Sequence, residues 1–284
     1  MDVPAHLTHL TGTPITRVDH LGHSHAWTLH RAHTADGRTL FVKAVQNGTA
    51  SAVLTAEAAG LRWLAAGHPT LVPPVVAADP RMLVLPWQPR EPATPTAAEQ
   101  LGRDLATLHT ATPPTYGAPW DGYIATLPLD NTPTTGDWGP WYAEYRLAPY
   151  ASAAARELGR DGTRLLDRVI DRIDHLAGPP EPPARIHGDL WSGNILWSTG
   201  HALLIDPAAH GGHRETDLAM LTLFGAPHLD RILAAYQETT PLSSGWRQRI
   251  PLHQLHPLLV HVILFGGSYR GMLLAAAASA LAGQ

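Results

Sequence analysis

The chain contains no cysteine. That excludes disulfides, zinc ribbons, thiol nucleophiles and thiol redox switches. Lysine is almost as scarce: of the 20 basic residues, 19 are Arg and one is Lys43. Charged residues make up 15% of the 284 positions, the formal net charge is -4, and no basic run occurs. Such a balance argues against a nucleic-acid partner. The opening residues, Met1-Asp2-Val3-Pro4, lack a charged segment leading into an apolar one. No signal peptide is expected, and the expected compartment is cytoplasmic. Residues 250–269 carry no formal charge but include His253, Gln254, His256, Pro257, His261 and two glycines. This predicts a buried helix rather than a membrane span. The 18 histidines form no His-Glu-x-x-His element, and the i, i+3 pairs His210/His213 and His253/His256 have no matched third ligand. A structural zinc site is therefore not expected.

What is present is enough apolar sequence, 44%, to bury a core, over a length that suits one large or two small domains. Trp27 and Leu29 alternate with polar neighbours, Asp36-Gly37 marks a hairpin turn, and Thr39 to Val45 is β-rich. A helix is predicted from a Ser51 cap to about Ala66, stopped by Gly67. Met82-Leu83-Val84-Leu85 reads as a short buried strand, and four prolines between Pro86 and Pro95 mark a linker. Helical patterns follow over about 97–110, 138–156, 162–176, 216–238 and 252–281, with a hairpin-like segment from Arg185 to Asp206. The expected class is α+β, with a β-rich lobe over 1–90, a hinge near 85–90, and a mostly helical lobe over 91–284. The first lobe carries a net charge of +2 and the second -6.

The most informative string is His187-Gly188-Asp189-Leu190-Trp191-Ser192-Gly193-Asn194, followed by Leu203-Leu204-Ile205-Asp206. Singly, Asp189 and Asn194 are turn formers and Asp206-Pro207 a strand cap. Together they have the spacing of a phosphotransferase, H-x-D-x-x-x-x-N followed by a metal-binding Asp. A carboxylate at Asp189 would accept a hydroxyl proton. Asn194 and Asp206 would supply hard oxygens for Mg²⁺.

Glu57 interrupts an apolar stripe of Leu54, Leu61 and Leu64 on the predicted helix. Either it reaches solvent at the stripe's edge, or it is buried and needs a cation. Lys43 on the preceding strand is the candidate, and such a pair holds an ammonium against nucleotide phosphates. Gly22-His23-Ser24-His25 sits between the first two strands, where backbone N–H groups would cradle phosphates, though one glycine also reads as a plain turn. Met82 to Trp87 would offer a slot for a flat base, with Trp87 either walling it or joining the core.

At these residues the sequence resembles the fructosamine (ketosamine) kinase family, within the kinase-like fold of aminoglycoside and choline phosphotransferases. The carrying strings are His187 to Asn194, Asp206-Pro207-Ala208 with Gly212-His213-Arg214-Glu215 and Asp217-Leu218-Ala219, and Leu264 to Tyr269, with Phe41-Val42-Lys43 and Glu57 at the front. The resemblance implies a two-lobed protein-kinase-like fold and phosphorylation of a ketoamine sugar at its 3-hydroxyl by ATP. In that reading Asp189 is the base and Asn194 and Asp206 hold the metal. Gly22, Ser24, Lys43, Glu57 and the hinge Leu85-Pro86-Trp87 serve the nucleotide. Trp191 and Ser192 would face the sugar with Asp217 steadying the catalytic region, and His210 and Asp217 are counted with the substrate-side residues. His210-Gly211 stands where the family usually has an aromatic pair, and Val262-Ile263 where it often has polar residues; both are expected to reshape the acceptor pocket. The rivals are a kinase for an aminoglycoside or amino alcohol, and a non-catalytic binding module. A protein kinase is disfavoured, because Pro207-Ala208 follows the metal Asp and no Ala-Pro-Glu element occurs.

Overall fold

The computed structural model describes residues 2–24, 26–46 and 51–283. It opens with a helix that no sequence signal had marked, α1 (Val3–Thr11), where Asp2 accepts the Ala5 N–H at 3.1 Å and Pro4 lies in the first turn. Strands β1 (Ile15–Ser24), β2 (Trp27–Thr34) and β3 (Thr39–Val45) follow, then α2 (Ala52–Gly67), β4 (Ala77–Asp79) and β5 (Met82–Pro86). Among the described residues these strands form one antiparallel sheet in the order β1-β2-β3-β5-β4.

Strand alternation sorts the sheet into two faces. Ala32, Leu40, Val42, Ala44, Met82 and Val84 pack with Leu7 of α1 on the outer face. Leu29, Phe41, Lys43 and Leu85 point the other way, into a cleft. Helix α2 begins as expected: Ser51 accepts the Val53 N–H at 3.3 Å. It buries Leu54, Glu57, Leu61 and Leu64, takes in Gly67 and ends at His68.

Residues 87–94 are without regular structure, and the remainder is mostly helical. It comprises α3 (Pro95–Thr110), a hairpin of β6 (Gly122–Ile124) and β7 (Leu127–Leu129), α4 (Trp138–Tyr142), a π-helical turn (Ala143–Leu147), α5 (Ala148–Ala153), α6 (Ala155–Asp171) and α7 (Ile173–Leu176). After these come β8 (Ala184–Ile186), a 3₁₀ turn (Ser192–Asn194), β9 (Ile195–Ser198), β10 (His201–Leu204) and β11 (His210–Gly212). Helices α8 (Arg214–Phe224), α9 (Leu229–Thr239), α10 (Trp246–His253), α11 (Leu255–Phe265) and α12 (Arg270–Ala282) complete the chain.

Four helices predicted as continuous are interrupted, the 162–176 segment at Arg172 between α6 and α7. The 138–156 segment passes through the π turn and breaks at Ala154. The 216–238 segment breaks where Gly225 leaves helical geometry and Pro227 follows. The 252–281 segment starts earlier, at Trp246, and breaks at Gln254 and again at Gly266, which has φ 73°. Among the described residues, Trp246–Ala282 is the stretch long and apolar enough to cross a membrane by length and composition. Within it Leu255, Leu258, Leu259 and Val262 pack into a core with Tyr142, Leu158 and Leu166.

A second core joins the two parts of the chain. Leu54, Leu61 and Leu64 of α2 pack with Leu101 and Leu105 of α3 and with Leu218 and Leu221 of α8. Truncating a fully buried leucine of this kind costs about 2–5 kcal/mol. This shared core fixes the cleft-facing sheet over the loop that follows β8.

Candidate active site

Strand β8 leads into His187, and the loop beyond it is fixed from beneath. Asp217, on the first turn of α8, accepts the backbone N–H groups of His187 at 2.7 Å and Gly188 at 2.9 Å. His109 Nε2 lies 3.2 Å from the same carboxylate, and Asp217 is 0% exposed. Burial opposes its charge, but the His109 hydrogen bond and the neighbouring His187 overcome this and hold the carboxyl below the usual range. Gly188 has φ 80°, and a Cβ there would collide with the carbonyl of Ala208. His187 donates from Nε2 to the Ile205 carbonyl at 2.9 Å, and its Nδ1 accepts the Asp189 N–H at 3.3 Å. The loop is thereby tied to the strand end that carries Asp206.

Asn194 donates its amide to Asp189 Oδ2 at 3.0 Å and to the Asp189 carbonyl at 2.9 Å. Burial, reinforced by the charges of Asp206 and Asp217, pushes the Asp189 carboxyl up to about 7 against the pull of Asn194 and Lys43. Asp206 has φ 54°, a left-handed conformation unusual for a residue with a side chain. Across the cleft, Lys43 Nζ donates to Glu57 Oε2 at 2.7 Å and to Asp206 Oδ1 at 3.0 Å. Burial alone would lower the lysine, but the two carboxylates outweigh it and raise it. Burial also works against the charge of Asp206, yet Lys43 holds that carboxyl below its usual value. Glu57, on the dry side of the ammonium, is pushed upward by burial and by Asp206.

Two cavities meet at this cluster. The outer one, about 320 Å³, has apolar walls from Leu21, Leu29, Phe41, Leu85, Leu196 and Ile205, with Pro86 and Trp87 at its edge. The inner one, about 150 Å³, is lined by Asp189, Asn194, Trp191 and Glu57, and on its far side by Trp120 and Gly122 to Ala125. Ser24, Lys43 and Asp206 line both, whereas Asp189 lines only the inner one. The arrangement has an apolar cavity, an ammonium at the junction, and a carboxylate of raised pKa beyond it. That is what phosphoryl transfer from a nucleotide to a hydroxyl demands.

The family model for fructosamine kinase matches residues 2–281. The chain belongs to the fructosamine kinase family. It is 33% identical over 250 residues to the ketoamine kinase candidate YniA of Escherichia coli, covering 86% of this chain and 84% of that one. A fructosamine-3-kinase candidate from Thermobifida fusca superposes with a TM-score of 0.96 at 53% identity, over 99% of each chain. An aminoglycoside phosphotransferase solved with ADP and hygromycin B shares the fold alone, with a TM-score of 0.64 at 13% identity over 98% of this chain and 99% of that one. The chain is therefore a phosphotransferase with a two-lobed, protein-kinase-like fold.

Most of the residues singled out from the sequence converge here. Lys43, Glu57, Asp189, Asn194, Asp206, Trp191 and Ser24 line the inner cavity, and Leu85, Pro86 and Trp87 line the outer one. Four do not. Gly22, φ 131°, lies at a bulge in β1 and off both walls, while Leu21 and Ser24 beside it reach the cleft. Ser192 opens the 3₁₀ turn and is absent from the inner wall. Asp217 lies wholly beneath the loop and supports it, so it has no face toward a sugar. His210 is 5% exposed, bonds the Ala208 carbonyl at 2.8 Å through Nδ1 and packs against Trp141. It meets the wall from behind, through its bond to Ala208. Val262 is likewise fully buried. His25 lies outside the described residues.

Sequence reasoning missed Trp27, whose ring lies 5.8 Å from Lys43 Nζ, and the entire β6–β7 hairpin. It also missed a convergence of His213, Glu215 and His253, whose ligand atoms lie within 4.8 Å of one another. Glu215, the ligand type that the histidine spacing did not supply, stands two positions from His213. Arg249 donates to both oxygens of Glu215, from Nε at 2.9 Å, so that carboxylate is already held in a buried ion pair.

Proposed function

We propose that this protein transfers the γ-phosphoryl group of ATP to the 3-hydroxyl of a ketoamine sugar of the fructosamine or ribulosamine type, with Mg²⁺. The observation that carries the reading is the division of labour between the cavities. Asp189 faces only the inner one, and Lys43 and Asp206 stand where the two join.

The outer cavity is within the size range of ligand pockets and suits a purine between aliphatic walls. Lys43, kept charged by Glu57 and Asp206, faces the α- and β-phosphates. The donor set also fits a magnesium ion. Asp206 presents a side chain that is 44% exposed to the cleft, and Asn194, with its amide nitrogen engaged by Asp189, has its oxygen left to bind. Bound there, Mg²⁺ would neutralise phosphate charge. Asp189 accepts the proton of the acceptor hydroxyl on the oxygen not engaged by Asn194. The hydroxyl oxygen bonds the γ-phosphorus as the bond to ADP breaks, and the proton leaves later from Asp189 to solvent. A base poised near neutrality contributes about 10²–10⁴-fold.

The ketoamine class rests on family membership and on the names of the Escherichia coli and Thermobifida fusca relatives. An inner cavity of about 150 Å³ suits one sugar, with its amine substituent outside. The test is ADP release with ribulosamines, fructosamines, aminoglycosides and choline as acceptors. Saturable turnover with a ketoamine is expected. Turnover with an aminoglycoside or choline and none with a ketoamine would reject the substrate class.

A further inference from the structure

On the far side of the inner cavity lies a buried cation that phosphoryl transfer leaves unexplained. Arg146 is 1% exposed, and among the described residues no carboxylate forms an ion pair with it. Its guanidinium donates to the Asp130 and Tyr145 carbonyls and to Asn131 Oδ1, the last at 2.8 Å, and it lies over the Trp141 ring at 4.4 Å. It sits in the π-helical turn, an irregularity often found at functional sites. Burying a guanidinium against neutral acceptors is unfavourable by itself. Its partners show what it holds in place.

Asp130 and Asn131 directly follow β7. Asn131 is 4% exposed, and its carbonyl accepts the Ala118 N–H at 2.8 Å. Its side chain packs so closely on Gly122 that a Cβ there would collide with Nδ2. Asn131, just past the end of β7, thus packs against the start of β6, while Tyr150 donates to the Pro128 carbonyl from outside. At the hairpin's turn Ala125 takes a left-handed φ of 52°. Tyr123, Ile124 and Ala125 line the inner cavity with Asp189 and Trp191, and no hairpin residue lines the outer one.

We propose that the β6–β7 hairpin is the element that reads the acceptor, with Tyr123 contacting the sugar as a specificity-determining residue. Arg146, acting through Asn131, is its positioning residue. The ligand class is a polyhydroxylated sugar packed between the Tyr123 side and the Trp191 side of the cavity. This rests on the reading above only in that the inner cavity takes the acceptor.

The experiment is steady-state ADP release by the full chain, with ATP and acceptor varied separately, for Tyr123→Ala, Asn131→Ala and Arg146→Lys. The acceptor is whichever panel member the wild type phosphorylates best, so loss of the ketoamine assignment and loss of this proposal are separate results. Tyr123→Ala is expected to raise the acceptor KM by about 10-fold or more while the ATP KM stays within about 2-fold. Asn131→Ala and Arg146→Lys, assayed well below their own melting temperatures, are expected to move the acceptor KM in the same direction with the ATP KM unchanged. An unchanged acceptor KM in Tyr123→Ala overturns the specificity role. Lower melting temperatures with both KM values unchanged, or both KM values rising together, overturn the positioning role. A wild type that phosphorylates no panel member overturns both this proposal and the functional reading.

Discussion

Lys43 Nζ and Asp206 Oδ1 stand 3.0 Å apart across the cleft, although 163 positions separate them in the chain. The same ammonium holds Glu57 at 2.7 Å, so one compact buried cation serves a buried carboxylate and a cleft-facing one. A guanidinium is wider and planar and cannot occupy that point without displacing one of them. Lys43→Arg conserves charge in a chain that uses arginine everywhere else, yet it is expected to lower kcat/KM for ATP by roughly 100-fold, about 2.7 kcal/mol. Glu57→Ala should be destabilising, though by less than the cost of a wholly unpaired buried charge, about 3–5 kcal/mol, because Asp206 still faces the ammonium. Kinetics of the first variant and urea unfolding of the second check these expectations; wild-type values in both would remove the lysine from the account.

Asp189 is the proton acceptor in the proposed transfer. Asp189→Asn keeps the shape of the side chain and removes the base. Turnover should fall by at least the ~10²–10⁴-fold that general base catalysis supplies. Nucleotide affinity, measured by titration calorimetry with a non-hydrolysable ATP analogue, should hold, because the outer cavity does not include Asp189. Turnover close to wild type would assign proton transfer elsewhere.

Asp217 should behave differently. It accepts two backbone N–H groups from a fully buried position, and hydrogen bonds to a charged group are worth about 1.5–3 kcal/mol each. Asp217→Ala is expected to lower both stability and turnover, with the ATP KM little changed in the molecules that remain folded. A stable Asp217→Ala variant with normal turnover would show that the loop holds its shape without this support.

The contrast between these residues explains what was legible in the sequence. Lys43, Glu57, Asp189, Asn194 and Asp206 stood out because the phosphotransferase pattern restricts residue type and spacing together, and the structure brings all five to one cavity. His210 was assigned to the acceptor side but lies behind the wall, whereas Asp217 was expected to steady the catalytic region and does so from beneath the loop, not from the substrate side. A sequence pattern does not specify whether a polar side chain points into a cavity or supports its floor. The β6–β7 hairpin was invisible because its strands have three residues each, one of them Pro128, and no period can be read over so short a span. The sheet, by contrast, was legible through its alternation and its Asp36-Gly37 turn. The long helices were overextended because Gly225 and Gly266 interrupt otherwise continuous apolar patterns.

Buried imidazoles make stability depend on pH. Burial is the main cause that pushes His210 and His213 down to about 3, and it takes His256 well below its ordinary value. In the unfolded chain the same groups take up protons near 6.5. Below that pH the unfolded state binds more protons than the folded one, so their contribution is complete above 6.5 and is lost as pH falls. The expected slope is up to about 1.4 kcal/mol per pH unit for each histidine. Urea midpoints measured between pH 7.5 and 5 check this; a flat profile would mean that these rings are charged in the folded protein.

Phosphorylation of a ketoamine at one hydroxyl can be read from the product itself. Phosphorus–proton correlation NMR on the product formed from ATP and a ribulosamine reads which carbon carries the phosphate. The expected result is a single phosphomonoester coupled to the proton on carbon 3, absent when Asp189→Asn replaces the wild type. A phosphate on another carbon, or no ketoamine phosphate despite ADP release with a different alcohol, would contradict it.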